Sequence, residues 1–439
     1  MASSETEQAI EADRGMRARV GRVYWGWWLV GVAFVAQFVT TAAMNSVLGA
    51  FTRPMTLELG WARSEFLLAR SIGQFVLAFI GLFIGTYVDR HGGRRLMTAG
   101  IFLLATAMFL CSFITELWQW WLLNGVILTC GMAMAGNLVV NVTLSKWFVE
   151  RRARVAGTAS MGVSLAGFLM PPVSAALIEV NGWRIAWRLL AVGALVLVLP
   201  LTLLMRRAPE DHGLHPDGKT AAEIAAGGGR AAAADFDSSL TRSEAVRTRA
   251  FYFVVLGFGF GTLSIGVMIL QTIPYLVDAG YDNRFASLMI PLSSFPSMVS
   301  KPFWGWLGDR VDAAKSAAVG FLTNALALVI IVFAVRAHLV WVVGAGFFLL
   351  GLGWGGLIPL QEVVWASFFG RRHLGAVRSA GLPFALFIGA SSPFLTSYYF
   401  DRVGNYDGAF LTVAAFAVVA TVLLLFARKP SGRADLRMR

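Results

Sequence analysis

A lysine inside an apolar run is the residue of this chain best placed to do chemistry. Lys301 lies in MIPLSSFPSMVSKPFWGWLGDR, residues 289–310. It stands eight residues before Asp309, where the run should meet water. At 1.5 Å per helical residue that is about 12 Å of depth, against a hydrocarbon core of about 30 Å. An ammonium there costs at least about 2.5 kcal/mol, which an anion or a buried carboxylate would offset. Ser293, Ser297, Lys301 and Gly305 are spaced by four and share one helix face. That face is small and polar, as a water-filled path would need. Pro291, Pro296 and Pro302 remove backbone donors and should bend the helix. The alternative is a lysine whose long stem carries its amine to the surface.

Two other ionisable residues fall well inside apolar runs, Arg70 and Glu362. Two cations against one acid favour an anionic ligand. Glu362 lies seven residues from Phe369, a depth of about 10 Å and close to that of Lys301. The two are expected to pair when the site is empty. An anion on Lys301 would then release Glu362 for protonation; a static pair that fixes helix packing is the alternative. Arg70 is a candidate second anion contact or an outer attraction site, against an arginine that merely reaches the surface. Asn45 with Thr41, Asn137 with Asn141, Gln271 and Tyr275 could donate hydrogen bonds to carboxylate oxygens, although buried amides often only bridge helices.

The elements that must position these residues are membrane helices. The chain of 439 residues is 57% hydrophobic and only 14% charged, whereas soluble chains carry about 25% charged residues. Twelve spans are expected, near 25–50, 64–88, 96–115, 118–145, 155–178, 185–205, 251–276, 285–308, 314–335, 339–367, 376–398 and 408–427. This gives an N-terminal tail (1–24), a six-helix bundle (25–206), a linker (207–250), a second six-helix bundle (251–428) and a C-terminal tail (429–439). A net charge of +12 would suit nucleic acid. The bases, however, cluster in alternate loops: Arg14, Arg17, Arg19 and Arg22; Arg90, Arg94 and Arg95; Arg151, Arg152 and Arg154; Arg371 and Arg372. That pattern sets topology and places both termini in the cytoplasm. Residues 1–22 do not read as a cleavable signal.

Other signals are weak. Cys111 and Cys130 lie in apolar runs and read as packing residues. His212 and His215 have no third ligand nearby, so no metal or cofactor is expected. The segment 208–248, with AAEIAAGGGRAAAAD, reads as a flexible linker. GLGWGG at 351–356 sits in an apolar run with no preceding strand, which excludes a nucleotide loop. The chain also repeats itself. GTYVDR at 85–90 returns as GWLGDR at 305–310, an offset of 220, and Pro172 returns as Pro393, an offset of 221. Two agreeing offsets argue for a duplicated six-span unit, with a site between the halves near the midplane.

GTYVDRHGGRR at 85–95 resembles the loop signature of the major facilitator superfamily, in the place that family has it. The resemblance implies an all-α fold of two pseudo-symmetric six-helix bundles. It also implies that Gly85, Asp89, Arg90, Gly92 and Arg94, with their repeat Gly305, Asp309 and Arg310, latch the halves in an outward-open state. KWFVERRARVAGTASMGVSLAG at 146–167, Trp25-Gly26-Trp27 and FPSMVSKPFWG at 295–305 look like signatures of the monocarboxylate transporters and the oxalate–formate exchangers. In their eighth span Lys301 stands in place of a carboxylate-binding arginine, and Ser297 in place of an aspartate. The resemblance thus implies a secondary transporter, not an enzyme, in the inner membrane of a prokaryote. It would move small organic carboxylates, by proton symport or by exchange, and act as a monomer without nucleic acid. A carrier of another organic anion and a transporter-like sensor are the rivals.

Overall fold

The computed structural model describes residues 24–43, 47–224 and 229–430. Asn45 lies outside them, as do the outer parts of both tails. The described residues are helical throughout the apolar runs, because a backbone in hydrocarbon must satisfy its own polar groups. Among the described residues eight helices are long and apolar enough to cross a membrane, and two shorter apolar helices accompany them.

Span 1 is Trp25–Thr41, followed by a separate helix, Leu48–Leu59. Span 2 is Arg63–His91 and span 3 starts at Arg94. Gly92 makes the turn between them at φ 78°, a left-handed value that favours glycine. Span 4 covers Leu117–Trp147 and breaks at Gly136, just before Asn137. Spans 5 and 6 form one run, Arg152–Thr202, bent at Gly182, where φ is 75°. Span 7 is Arg249–Asp278, span 8 Asn283–Arg310, span 9 Ala313–Arg336, span 10 Val340–Phe369, span 11 Leu374–Val403 and span 12 Asp407–Phe426. Spans 8 and 9 start on aspartates that cap their first N–H groups: Asp282 accepts from Arg284, and Asp312 from Ala314 and Lys315.

The buried apolar residues form two clusters. One is drawn from spans 1–6 alone, around Phe51, Trp120 and Trp187. The other runs from Leu29 and Trp147 through the linker residue Leu240 to Phe251 and Phe369. The two halves therefore share a core where the linker lies, referred to below as the linker face. Span 8 packs on span 5, and span 11 on span 2.

The linker is not a loose tether, as its composition suggests. Asp217 takes a left-handed conformation (φ 61°) and accepts from the backbone N–H groups of Val149, Glu150 and Arg151 at 3.0, 3.0 and 3.3 Å. Tyr24 donates to the carbonyls of Trp147 and His215, both at 3.1 Å. A linker helix, Arg230–Asp237, carries Asp235, which sits 3.2 Å from Arg152 of the first half and 3.8 Å from Arg371 of the second. Arg371 also meets Glu210 at 2.6 Å. Alanine and glycine content hid four carboxylates, Glu210, Asp211, Asp217 and Asp235, that each find a fixed donor. Arg207 donates to Asp211, which holds that carboxyl below its usual range.

Candidate functional site

Glycine lets the halves meet backbone to backbone on the linker face. A Cβ at Gly85 would fall 2.0 Å from the carbonyl oxygen of Gly375, so spans 2 and 11 cross there with no room for a side chain. The repeat does the same. A Cβ at Gly305 would fall 2.7 Å from the Ala153 oxygen, and one at Gly157 2.7 Å from the Lys301 oxygen. The paired aspartates finish both crossings. Asp89 accepts from the Ala376 N–H at 2.9 Å, in the first turn of span 11, and its other oxygen lies 3.1 Å from the Lys146 amine. Asp309 accepts from Ala153 and Arg154 N–H groups at 2.8 and 3.1 Å, in the first turn of span 5. Each carboxylate thus satisfies orphan donors at a helix N-terminus of the opposite half, where the helix dipole favours negative charge. Along span 11 the seam then parts. Gly389 lies about 40° round the helix from Gly375 and about 21 Å further along, and a Cβ there would meet nothing within 4 Å. Among the described residues the seam is shut on the linker face, and nothing fills the space at Gly389.

The basic residues of the signature play smaller parts. Arg90 is exposed and offers its carbonyl to Arg207 at 3.3 Å. Arg94 is exposed, and Arg310 stacks over Trp306 at 4.6 Å. Gly92 is pressed against Arg207, whose Cβ would lie 2.9 Å from an added methyl. The aromatic signatures meet here as well: Trp27 and Phe148 lie 5.3 Å apart, and Gly26 leaves the space that Tyr24 and Phe148 fill.

Lys301 is not the open amine that its sequence position suggests. It is 1% exposed, and its amine donates to the Ser160 carbonyl of span 5 at 2.6 Å. In this conformation it is part of the shut seam, one turn further from the linker face than Gly305. The expected pair with Glu362 is absent as well. Glu362, 1% exposed, is held by Arg378 of span 11, whose Nε lies 2.6 Å from Oε2 and whose second nitrogen contacts Oε1. Spans 10 and 11 form a tight hairpin through residues 370–373, which brings those two side chains level. The polar face 293–297–301–305 is also not a water path. Ser293 and Ser297 are buried, and the backbone there lies against span 10: a Cβ at Gly351 would lie 2.1 Å from the Ser293 carbonyl oxygen and one at Gly355 2.8 Å from the Ser297 carbonyl oxygen. That close packing accounts for the glycines of GLGWGG.

Lys301 and Arg70 remain without a carboxylate among the described residues. Arg70 is exposed and makes no hydrogen bond or ion pair among them. At 3.6 residues per turn it lies within about 20° of Gly81 on span 2, and Gly81 faces Leu382 of the other half. Its side of the helix is opposite the exposed stripe Phe75, Phe79 and Phe83. It therefore points to the gap between the halves, above the level where they touch. Asn137, Asn141 and Gln37 form a hydrogen-bonded chain joining spans 1 and 4, with Gln37 donating to Asn141 at 3.3 Å and Asn141 to Asn137. Asn137, half-buried, is the end of that chain nearest solvent. Gln271 is 8% exposed in span 7. Tyr275 donates to Asp407 at 3.0 Å, beside Arg336, and so belongs to a packing network.

Comparison with known proteins agrees with this geometry. The family model "Major Facilitator Superfamily" matches residues 33–391 and 267–438. A bovine protein named monocarboxylate transporter 13 is 26% identical over 416 residues, 91% of this chain and 89% of its own. The Aspergillus terreus MFS-type transporter pytF is 25% identical over 313 residues, 70% of this chain and 95% of its own. Among solved structures, the proton:xylose symporter XylE superimposes with a TM-score of 0.73 at 12% identity, covering 92% of this chain and 96% of that one. With two similar halves, glycine crossings on both flanks and carboxylates capping the opposite half, this multi-pass membrane protein belongs to the major facilitator superfamily and is a transporter, not an enzyme.

Proposed function

We propose that the protein carries small organic carboxylates across the cytoplasmic membrane by alternating access, driven by proton symport, with the linker face and both termini in the cytoplasm. The single observation that carries this reading is a charge imbalance. Two cations inside the spans, Lys301 and Arg70, have no carboxylate among the described residues, while Glu362, the acid expected to pair with Lys301, is taken by Arg378. A buried ammonium with only a carbonyl for company is under-compensated. It gains most from an anion delivered when the seam loosens. The relatives named monocarboxylate transporters fit that ligand class.

In this reading Arg70 receives the carboxylate from the face opposite the linker, and Asn45, Asn137 and Gln271 are the neutral groups offered to it, while Ser297 stays packed on span 10. Lys301 leaves the Ser160 carbonyl to bind it, which removes one tie across the seam and couples occupancy to closure of the outer side. Glu362 carries the proton, with Arg378 as its resting partner. Gly85, Asp89, Gly305 and Asp309 form the gate, and Arg90, Gly92, Arg94 and Arg310 shape and anchor its loops.

Uptake of a radiolabelled monocarboxylate into proteoliposomes tests the assignment. Lys301→Ala should lose uptake by at least tenfold, Lys301→Arg should keep part of it, and an imposed pH gradient should drive wild-type accumulation. Unchanged uptake in Lys301→Ala would falsify the carboxylate site. Uptake that ignores the pH gradient but requires internal anion would replace symport by exchange.

A further inference from the structure

The geometry points to a binding site for one anionic phospholipid, in the leaflet on the linker face, between the linker's last helix, Arg242–Val246, and spans 7 and 11. A cavity of about 680 Å³ lies there, lined by Arg242, Ser243, Arg247, Phe251, Ala380 and Phe384 among others. Its two ends differ in chemistry. The upper rim is basic and hydroxylic, at the point where Arg249 starts span 7. The lower wall is apolar and descends span 11. Ala380 and Phe384 are one turn apart, about 6 Å along the axis. Phe384 is half exposed and leads to Phe387, which is 76% exposed, on the side of span 11 that faces lipid.

The rim arginines are free to bind an anion. Arg242 and Arg247 are exposed and make no ion pair among the described residues. The acid between them in sequence, Glu244, is turned back to accept from the Thr241 N–H and hydroxyl, both at 2.7 Å. Other arginines of the same face are engaged: Arg152 with Asp235, Arg371 with Glu210 and Arg207 with Asp211. Two unpaired guanidiniums at headgroup level over an apolar wall match a phosphate joined to acyl chains. Basic pockets between helices at a membrane surface bind acidic headgroups on these terms. A free inorganic anion would make no use of the wall below, and a zwitterionic lipid would bring a second cation to a basic rim. This site is separate from the seam between the halves, so it stands whether or not the carboxylate reading does.

Native mass spectrometry of the detergent-purified protein, titrated with phosphatidylglycerol or phosphatidylcholine of matched chains, tests it. The expected result is tighter binding of phosphatidylglycerol. The double variant Arg242→Ala, Arg247→Ala should lose about 25-fold in that affinity, two cation contacts of about fivefold each, with phosphatidylcholine unaffected. Arg242→Lys, Arg247→Lys should retain most of it, which separates loss of charge from loss of fold. Inorganic phosphate in excess should fail to displace the lipid. Equal binding of both lipids, full affinity in the double alanine variant, or displacement by inorganic phosphate would each overturn the proposal.

Discussion

The shut seam is held by few polar contacts, so one substitution should unlatch it. Asp309 is the cleaner target of the two capping aspartates. It accepts two N–H groups from span 5, at 2.8 and 3.1 Å, and these bonds cross between the halves. Asp309→Asn keeps an acceptor oxygen but loses the charge that the N-terminus of span 5 favours. A hydrogen bond to a charged group is worth about 1.5–3 kcal/mol and the dipole term up to about 1 kcal/mol. A loss of about 2 kcal/mol from the shut state alone shifts the opening equilibrium about 30-fold. Opening can be read at the other flank. Ser379 is fully buried beside the Gly85 crossing. In a background with Cys111 and Cys130 replaced by alanine, Ser379→Cys should react slowly with an impermeant maleimide supplied from the linker face. Adding Asp309→Asn should raise that rate by about 30-fold at an unchanged Tm, because rigid halves open both flanks together. Asp89→Asn should behave differently. Lys146 pairs with Asp89 within the same half, so that change strands a buried ammonium and lowers Tm as well. An unaltered labelling rate in Asp309→Asn, with the protein folded, would refute the idea that these caps hold the gate.

Two further outcomes test the buried polar groups. Glu362→Gln should destabilise the protein by about 3–5 kcal/mol, since it leaves the Arg378 guanidinium buried without its counter-charge. Glu362→Gln with Arg378→Gln should recover most of that in thermal unfolding, and counterflow that survives while proton-driven uptake fails would assign the proton to this pair. Asp235→Asn should loosen the linker, because it removes the negative charge and one of the two acceptor oxygens held between Arg152 and Arg371. Trypsin should then cut after the exposed Arg230 at least about fivefold faster, a local opening term of about 1 kcal/mol; an equal rate would show that the linker is held by other contacts.

Much of the architecture was legible because bilayer physics leaves few choices. A run of apolar residues can only be a helix, and the spans fall within a few residues of their expected limits, apart from the separate helix at Leu48–Leu59 and the join of spans 5 and 6. The crossing glycines and capping aspartates were legible as a repeated motif. What failed was pairing between spans. Depth counted along one helix says nothing about azimuth, so Lys301 and Glu362 were matched by level although they face different neighbours. Arg378 was passed over because it sits only four residues into span 11, yet the short turn before it sets it opposite Glu362. The linker misled for another reason. Small residues signal flexibility on average, but Asp217 and Asp235 each satisfy several donors, and such contacts are invisible to composition.

The two halves repeat the gate but not the charge. Gly85 and Asp89 correspond to Gly305 and Asp309 at an offset of 220, and both pairs do the same work at opposite flanks. At that offset Lys301 corresponds to Gly81, and Arg70 to Ile290. Gly81 has no side chain, and Leu382 fills the space beside it. Selection for closure acts on both copies equally, since a rocking pair needs matching hinges. Selection for a ligand has no reason to act equally, because the small anion proposed above would occupy one place between unlike walls. The positions where the copies diverge from neutral to cationic are therefore where substrate chemistry should be sought. They lie at different depths, with Arg70 exposed toward the face opposite the linker and Lys301 buried in the closed part of the seam. That order suits an anion passed from one cation to the next as the seam changes sides.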